Sequence, residues 1–527
     1  MDLRLASAVF LAVTTCSGPV LAQHEHELGK VTFPTSCNPV VQAEFERGVA
    51  MLHSYWFNYA GKTFRGVLER DPTCAMAYWG IALDLLGNTL GAPPSPQAAG
   101  EAWKALEQAR QLATTARERD WLEAIRAYYR DHDRVAVDAR LSAYTSAMAQ
   151  LAERYPDDFE AQVFYALTLQ ASAPKQDLSY TNQMKSAALL EQLYTKNPQH
   201  PGITHYLIHA YDFAPFADKG LAAARRYAAI APAVPHARHM PAHIYSMVGL
   251  WEDSIASNLS ALEVQPDYYH AADFAVYAYL QLAQDAKAAA LIEQALNTPE
   301  RGDRPATLVN FTSRAAMPAR SVLERGDWAA AAVLPIVASA YPQADSLTRF
   351  TRGLGLARTG NEPGAAVEVD AMESLRRSLQ ASGESYWADR TSEQMLAVSA
   401  WVALGNGARD KAIALMRRAA DGEDGSIKHV AMENRLYPMR ELLGDLLLEA
   451  GQPANAFAEY MKVLVQTPNR YRGLFGAARA AEASGDRENA LGYYTKLIQL
   501  TSTGDGSRPE LQRAKAYVTR PSRERRD

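Results

Sequence analysis

The sequence predicts an all-α fold, a solenoid of stacked helical hairpins, on three observations. The chain has 527 residues, far more than one compact core requires, so it forms several domains or one repeat array. Its middle part repeats at a constant interval, marked by the evenly spaced Pro198, Pro232 and Pro266. No stretch of any length shows the alternation of apolar and polar residues that is typical of a strand. Together these features favour a helical array.

The spacing of these prolines is typical of tetratricopeptide repeats (TPRs), helical hairpins of about 34 residues that stack so that equivalent positions form a ladder. A first unit framed on Pro72 places Gly48, Ala60 and Phe64 where such units carry glycine, alanine and an aromatic residue. Small residues let paired helices approach closely, and proline ends the second helix because it has no N–H. The same frame returns near the C-terminus, with matching residues at Leu443, Gly444, Ala456, Tyr460, Pro468, Ala490 and Tyr494.

The N-terminus is typical of a secretory signal peptide. Arg4 precedes an apolar run, Leu5 to Val13, which is too short to span a bilayer, and the small-residue cleavage signal ends at Ala22. We therefore expect residues 1–22 to be removed and the mature protein to be exported, to the periplasm. No later segment is apolar enough to predict a membrane span.

Two cysteines, Cys37 and Cys74, remain after this cleavage. In an exported protein such a pair most simply forms a disulfide, which here would clamp the N-terminal cap. A metal-thiolate pair is the alternative, but the oxidising compartment and the lack of a Cys-x-x-Cys spacing disfavour it. Cys16 raises lipoprotein processing as a further alternative, which the preceding residues Val13 to Thr15 disfavour because they lack the small residue such processing requires.

The repeat array is expected to have joints where glycine, proline and polar residues concentrate, at Asn297 to Arg304 and at Asp421 to Ser426. The C-terminal tail is densely charged, and we expect it to be disordered. After the signal peptide at 1–22, the predicted divisions are an N-terminal TPR-like array at 23–300, middle helical repeats at 301–425, C-terminal TPR repeats at 426–519 and the tail at 520–527.

Composition and motifs exclude several classes of function. The net charge of -5 and the isoelectric point near 6.2 give no basic surface for nucleic acid, and no nucleic-acid-binding motif is present. The sequence also lacks a His-Glu-x-x-His motif, a nucleophile elbow, a phosphate loop and a dinucleotide fingerprint. Nucleic acid is therefore not an expected partner, and no particular reaction is indicated.

Six of the 12 histidines fall into register when the chain is folded back at the interval set by the prolines. Three of them, His236, His239 and His243, are spaced i, i+3 and i+7, which places them on one stripe of one predicted helix. The aligned sets are His205 with His239 and Asp273, His209 with His243 and Tyr277, and His236 with His270. Half of the histidines are therefore expected to point into one small volume.

Two blocks of sequence resemble a group of exported bacterial TPR-containing proteins: HMPAHIYSMVGLWEDSIASN (His239 to Asn258) and LYPMRELLGDLLLEAG (Leu436 to Gly451). The resemblance covers most of the mature chain and implies a TPR-like α-solenoid, without an activity or a substrate. In TPR proteins, positions 2, 5, 9 and 12 of each repeat line the concave groove that holds the ligand. With Pro232 and Pro266 at position 32, these positions are occupied by His236 and His270 (2), by His205, His239 and Asp273 (5), by His209, His243 and Tyr277 (9), and by Asp212 (12).

A ladder of imidazoles in this groove predicts a site for a transition metal. Packed helices lie about 8 to 10 Å apart, so imidazoles from adjacent helices can meet around an ion at about 2.0 to 2.1 Å. Imidazole with carboxylate suits zinc, copper, iron or nickel. The candidate ligands are His205, His209, His236, His239, His243, His270 and Asp273, and either Asp212 or Asp273 could instead orient an imidazole.

Other interpretations stay open on the sequence alone. The histidines could form a structural hydrogen-bonded network with nearby tyrosines such as Tyr206, or a groove that responds to pH near neutrality. A scaffold that binds a peptide or helix in the concave groove is the alternative to metal binding, and a metal-dependent enzyme is a second alternative. The leading hypothesis is an exported TPR-type protein that binds a transition metal or a metal-dependent ligand.

Overall fold

The computed structural model describes residues 28–301, 307–429 and 435–520. Over these ranges the regular secondary structure is helical and contains no strand, which confirms the predicted all-α class. None of the helices in this part of the chain has both the length and the apolar character that a membrane span requires. The predicted signal peptide at 1–22, Arg304 of the first joint and residues 521–527 of the tail lie outside the described residues.

The helices follow one another along the whole chain. Those before the histidine ladder are α1 (Gln42–His53), α2 (Tyr59–Arg70), α3 (Ala75–Leu86), α4 (Pro96–Leu112), α5 (Ala116–Tyr129), α6 (Val137–Arg154), α7 (Phe159–Ala171) and α8 (Thr181–Lys196). Those around it are α9 (Pro201–Tyr211), α10 (Ala217–Ile230), α11 (Pro235–His239), α12 (Pro241–Met247), α13 (Trp251–Val264), α14 (Tyr269–Gln281) and α15 (Asp285–Asn297).

The C-terminal half continues the same pattern. Its helices are α16 (Leu308–Glu324), α17 (Trp328–Ala332), α18 (Pro342–Arg358), α19 (Glu362–Ala381), α20 (Ser385–Gly405), α21 (Arg409–Asp424), α22 (Met439–Glu449), α23 (Pro453–Gln466), α24 (Tyr471–Ala483), α25 (Arg487–Leu500) and α26 (Pro509–Thr519). Consecutive helices pack against each other in pairs along the chain, the arrangement of an α-solenoid built from hairpins. The division into three arrays stays a prediction.

The positions that define the repeat frame make the contacts expected of them. A Cβ added to Gly48 would lie 2.8 Å from the ring of Phe64, and one added to Gly444 would lie 2.9 Å from Tyr460. Both rings are fully buried. Small residues therefore admit a bulky aromatic side chain between the two helices of a hairpin, which is the reason why the frame pairs glycine with an aromatic residue.

Replacing Gly476 with alanine is expected to lower the free energy of unfolding by about 1 to 3 kcal/mol, because it overpacks this contact. The new Cβ would lie 2.2 Å from Cε1 of Tyr460. Gly492, in the middle of α25, provides a matched control because nothing lies within 4 Å of an added Cβ. Gly492→Ala is expected to stabilise by about 0.5 to 1 kcal/mol, since alanine has the higher helix propensity. Denaturant unfolding measures the free energy of unfolding of both variants. Equal changes in the two would contradict the packing role of glycine at this contact.

The N-terminal cap is held by a disulfide between Cys37 and Cys74. Cys74 is the N-cap residue of α3, and Cys37 lies just before α1. The adjacent Asn38 N–H donates to Asp71 Oδ2 at 2.7 Å. The predicted pairing is therefore present in the structure, and sulfur atoms bonded to each other do not act as thiolate ligands of a metal.

The stripe that carries His236, His239 and His243 differs in one detail from the prediction of one helix. The helix is interrupted between α11 and α12, because Pro241 has no N–H to donate to the preceding turn. The intervening residue, Met240, keeps helical dihedral angles (φ -52°, ψ -34°), so the direction of the chain is preserved. The three histidines consequently stay on one face despite the break.

The C-terminal array packs onto the central repeats. The indole Nε1 of Trp251, at the start of α13, donates to the carbonyl of Asn469 at 2.8 Å. Further along, the N–H of Asp505 donates to the carbonyl of Ala283 at 2.9 Å. Gly249 lies against Pro468 with a φ of +72°, and an added Cβ would be 2.2 Å from the Pro468 carbonyl oxygen. This contact buries a surface that an isolated TPR array would leave open.

Candidate metal centre

The six histidines of the ladder form two neighbouring groups of three. In each group, one nitrogen of every imidazole lies within 4.8 Å of the others. The first group takes His205 and His209 from α9 and His236 from α11, and the second takes His239, His243 and His270 from α11, α12 and α14. The sequence predicted one shared volume, and the structure divides it into two sites.

The second group is the first group displaced by one repeat. Adding 34 to 205, 209 and 236 gives 239, 243 and 270, so each site combines positions 5 and 9 of one repeat with position 2 of the next. The two groups are adjacent: the ring centroids of His209 and His243 lie 6.0 Å apart, and those of His236 and His239 lie 6.1 Å apart. The repeat architecture has therefore duplicated a three-histidine arrangement.

Ring nitrogens converge within each group. His205 Nε2 lies 3.1 Å from His209 Nε2 and 3.0 Å from His236 Nε2. In the second group, His239 Nε2 lies 3.1 Å from His243 Nε2. Nitrogens about 2.0 to 2.1 Å from a common tetrahedral ion are about 3.3 Å from one another, so these separations suit ligands of one ion.

Protein groups fix the opposite ring nitrogens. His205 Nδ1 donates to the carbonyl of His53 at 2.6 Å, and His243 Nδ1 donates to Asp212 Oδ2 at 2.9 Å. His239 Nδ1 lies 2.6 Å from Asn258 Oδ1, whose orientation is set because Asn258 Nδ2 donates to the Ser254 carbonyl. Acceptors at Nδ1 place the proton there and leave Nε2 with a lone pair, which is the way proteins orient histidine ligands.

His239 and His243 consequently direct two lone pairs at each other. A neutral imidazole has one N–H, and in both rings that proton is at Nδ1. Burial lowers the pKa of His239 to about 4 and lowers the pKa of His243 well below its ordinary value. The 3.1 Å contact between their Nε2 atoms is thus a contact between two acceptors, unless a cation lies between them.

Burial lowers the pKa of the remaining four histidines as well. It lowers the pKa of His205 to about 3 and puts the pKa values of His209, His236 and His270 well below 6.5. Neighbouring imidazoles add to the effect at His209, His236 and His270, because a second positive charge nearby is unfavourable. All six imidazoles are therefore neutral near neutral pH.

An aromatic ring covers each group. The ring of Phe274 lies 4.8, 4.6 and 4.9 Å from the centroids of His239, His243 and His270. Tyr55 has the corresponding place at the first group, with its centroid 4.5 Å from that of His205 and 5.3 Å from that of His236. These rings fix the imidazoles from one side and exclude water there.

Asp212 connects the centre to the C-terminal half. Its Oδ2 accepts from His243 Nδ1 and from Lys428 Nζ, the latter at 2.7 Å. Burial raises the pKa of Asp212, and the Lys428 ammonium opposes this increase. Of the two roles predicted for Asp212, the structure shows the orienting one, because the carboxylate holds an imidazole and belongs to neither histidine group.

Asp273 and Tyr277 continue the ladder by one repeat but do not join the histidines. Asp273 accepts from the buried Arg320 guanidinium, Nε to Oδ1 at 2.9 Å, and it is part of neither group of three. The predicted ligand role of Asp273 is therefore not seen, because a cation of the protein already binds its carboxylate. The hydroxyl of Tyr277 accepts from Arg470 at 2.7 Å.

A further cluster, His53, Glu160 and His200, is a closed hydrogen-bond network. His200 Nδ1 accepts from the N–H of Ile203, so its Nε2 carries the proton and donates to Glu160 Oε1 at 2.9 Å. His53 Nε2 donates to the other carboxylate oxygen at 2.8 Å. Burial alone would raise the pKa of Glu160, but the two histidines lower it to about 2. Every ring nitrogen facing this carboxylate is occupied, so the cluster has a structural role.

Several residues of the centre were not assigned a role from the sequence. Asn258 orients His239 from the second helix of its hairpin, and Tyr268 OH lies 2.8 Å from His236 Nδ1. Lys428 is far from Asp212 in the chain, with a separation of 216 residues, and it lies outside the repeat register. The one sequence feature that could have indicated a role for Asn258 is its position at the end of the block that begins HMPAHI.

Comparison with known proteins adds little to this description. No known family profile matches the sequence. No curated protein matches it either. Among solved structures, the chain is similar to one in the crystal structure of the APC/C hetero-tetramer Cut9-Hcn1, at 11% identity and a TM-score of 0.36, over 90% of this chain and 76% of that chain. The fold is defined by the packing of consecutive helices along the chain.

Fold and site together define a class: an α-solenoid of stacked helical hairpins with a buried cluster of histidines. Solenoids of this class commonly offer extended concave surfaces to proteins or peptides. In this chain the concave positions of the central repeats are buried, with His205 and His239 fully inaccessible.

Proposed function

We propose that this protein binds transition-metal ions at the two three-histidine sites of its central repeats. The observation that carries the proposal is the contact between His239 Nε2 and His243 Nε2, two acceptors 3.1 Å apart whose Nδ1 atoms are engaged by Asn258 and Asp212. A metal ion between them converts this repulsion into coordination. The presence of the same triad one repeat earlier supports the proposal, since a purely local network has no reason to recur in register.

The ligand set favours an ion that prefers nitrogen. Each group offers three neutral imidazoles and no carboxylate, a donor set suited to zinc, copper, iron or nickel and unsuited to calcium or magnesium. Asp212 is neutralised by Lys428, and Asp273 by Arg320. We propose zinc, copper or iron as the occupant, in an exported and periplasmic protein.

Metal analysis tests the proposal. Protein produced without an affinity tag, stripped and then reconstituted separately with zinc, copper, iron and nickel, is expected to retain two equivalents of at least one of these metals after gel filtration. The variant His24→Ala, His26→Ala is the matched control, because it removes histidines that precede the described residues and leaves both groups intact. Retention of no metal under all four conditions would overturn the proposal.

A protein-interaction scaffold is the second candidate, and the solenoid fold itself favours it. On this proposal the histidines serve as a structural network, and a partner binds elsewhere on the array. Metal-free protein that is folded as stably as reconstituted protein, and that retains a partner after His239→Phe, would support the scaffold. A metal-dependent gain in thermal stability would support the metal centre, because binding to the folded state alone is stabilising.

A further inference from the structure

The two histidine groups have unequal surroundings. His239, His243 and His270 of the second group are 0%, 2% and 6% exposed, and His205 and His209 of the first are 0% and 7% exposed. The difference lies in His236 of the first group, which is partly exposed. In both groups two Nδ1 atoms are engaged, by the His53 carbonyl and Tyr268 in the first and by Asn258 and Asp212 in the second. The first group is therefore the more accessible of the two, although the repeat supplies both with equivalent ligands.

A small polar chamber adjoins the first group. It has a volume of about 30 Å³ and is lined by Gln170, Gln183, His209, Asp212 and Lys428 among others. A buried water molecule needs about 10 to 15 Å³, so the chamber has room for about two. No histidine of the second group contributes to its wall.

Unpaired acceptors in this chamber call for hydrogen-bond donors. The Oε1 atoms of Gln170 and Gln183 and the Oδ1 atom of Asp212 are buried and have no hydrogen-bond partner among the described residues. The other amide end of Gln170 is held in place, because its Nε2 donates to the hydroxyl of Ser186 and to the carbonyl of Tyr206. Buried acceptors are nearly always paired, and water is the donor that fits this volume.

A larger cleft lies next to the chamber. A cleft of about 430 Å³ shares Asp212, Phe213, Ile427 and Lys428 with it. The cleft also includes apolar and aromatic side chains such as Tyr180 and Met247. These shared side chains stand between the cleft and the chamber beside the first group.

From these observations we infer that the ion at His205, His209 and His236 keeps an exchangeable fourth position, filled by water from the chamber and open to small external ligands. The ion at His239, His243 and His270 does not exchange its ligands. Three imidazoles and a water form the donor set of zinc ions that activate water for hydrolysis or hydration. The first group is thus the reactive site and the second a structural one, an assignment that rests on the proposed function.

Cobalt and azide provide the test. Cobalt(II) is loaded into the stripped protein and counted, and azide is then titrated while the visible ligand-field bands of cobalt are recorded. The variant His239→Phe, His243→Phe retains only the first group, and we expect azide to shift its bands in a saturable way. The reciprocal variant His205→Phe, His209→Phe retains only the second group, and its bands are expected to stay unchanged.

The outcomes separate the two proposals. A protein that binds no cobalt, zinc, copper, iron or nickel contradicts the proposed function itself. Two bound cobalt ions whose bands do not respond to azide overturn only the inference of an exchangeable position. A response confined to the second group, or an equal response from both groups, overturns the assignment of the reactive site to the first.

Discussion

The double variant His239→Ala, His243→Ala is expected to lose one of the two metal ions and to keep the other. The second group is left with His270 alone, too few ligands for a stable site, while the first group keeps three converging nitrogens. The reciprocal variant, His205→Ala, His209→Ala, is expected to show the mirror result. Elemental analysis of the folded proteins after reconstitution measures both.

Controls make this experiment decisive. His132 lies in the turn region after α5, away from both groups, so His132→Ala is expected to retain two ions. Because truncation of buried histidines leaves cavities, the same positions replaced by phenylalanine keep the volume and remove the ligand. Variants that fold and yet lose both ions, or lose neither, would contradict two separate sites one repeat apart.

Arg470→Met is expected to lower the free energy of unfolding by about 3 to 5 kcal/mol, because it removes the closest cation from two buried carboxylates. The guanidinium is fully buried and pairs with Glu441 at 2.7 Å and with Glu324 at 2.7 Å. It also donates to the hydroxyl of Tyr277 at 2.7 Å, which joins the C-terminal array to the central repeats. Urea unfolding of the variant measures the loss.

Arg513→Met is the matched comparison for Arg470. Arg513 also pairs with a carboxylate, Glu482, at 2.8 Å, but its side chain is 51% exposed. Solvent screens such a pair, so the variant is expected to lose less than about 1 kcal/mol. An equal loss in the free energy of unfolding in both variants would contradict the account, in which the buried network around Tyr277 joins the two arrays.

The sequence predicted the fold class and the members of the ladder because both depend on local periodicity. Proline at 198, 232 and 266 sets the repeat frame, and the frame alone decides which histidines share a face. The aromatic positions Phe64 and Tyr460 fill the spaces next to Gly48 and Gly444, as the frame requires. These contacts join residues that are close in the sequence, so the periodicity of the sequence is enough to predict them.

Relations between distant segments were not predictable in the same way. Position 2 of one repeat meets positions 5 and 9 of the preceding one, and this contact divides the ladder into two groups. Arg320, which binds Asp273, and Lys428, which binds Asp212, come from segments that the repeat pattern does not place. Without these contacts, the carboxylates of Asp212 and Asp273 could not be assigned to orienting and structural roles.

The ladder positions that were predicted to line a groove are buried, and this burial disfavours a peptide as their ligand. A TPR groove that binds a peptide must offer its ladder positions to solvent, whereas here His205 and His239 are fully inaccessible. The protein surrounds its ladder with its own C-terminal half, through contacts such as Trp251 with Asn469. A small ion suits such an enclosed site, and an extended peptide does not.

X-ray absorption spectroscopy of the reconstituted protein tests the central claim most directly. We expect a first shell of nitrogen at about 2.0 to 2.1 Å, with the outer-shell scattering of about three imidazoles for each ion and no sulfur. The spectrum is recorded on the native chain and on each double histidine variant. It is also recorded on the variant that combines both pairs of substitutions, at His205, His209, His239 and His243. A first shell made of oxygen in the native chain, or imidazole scattering that survives in this combined variant, would contradict a metal centre at the histidine ladder.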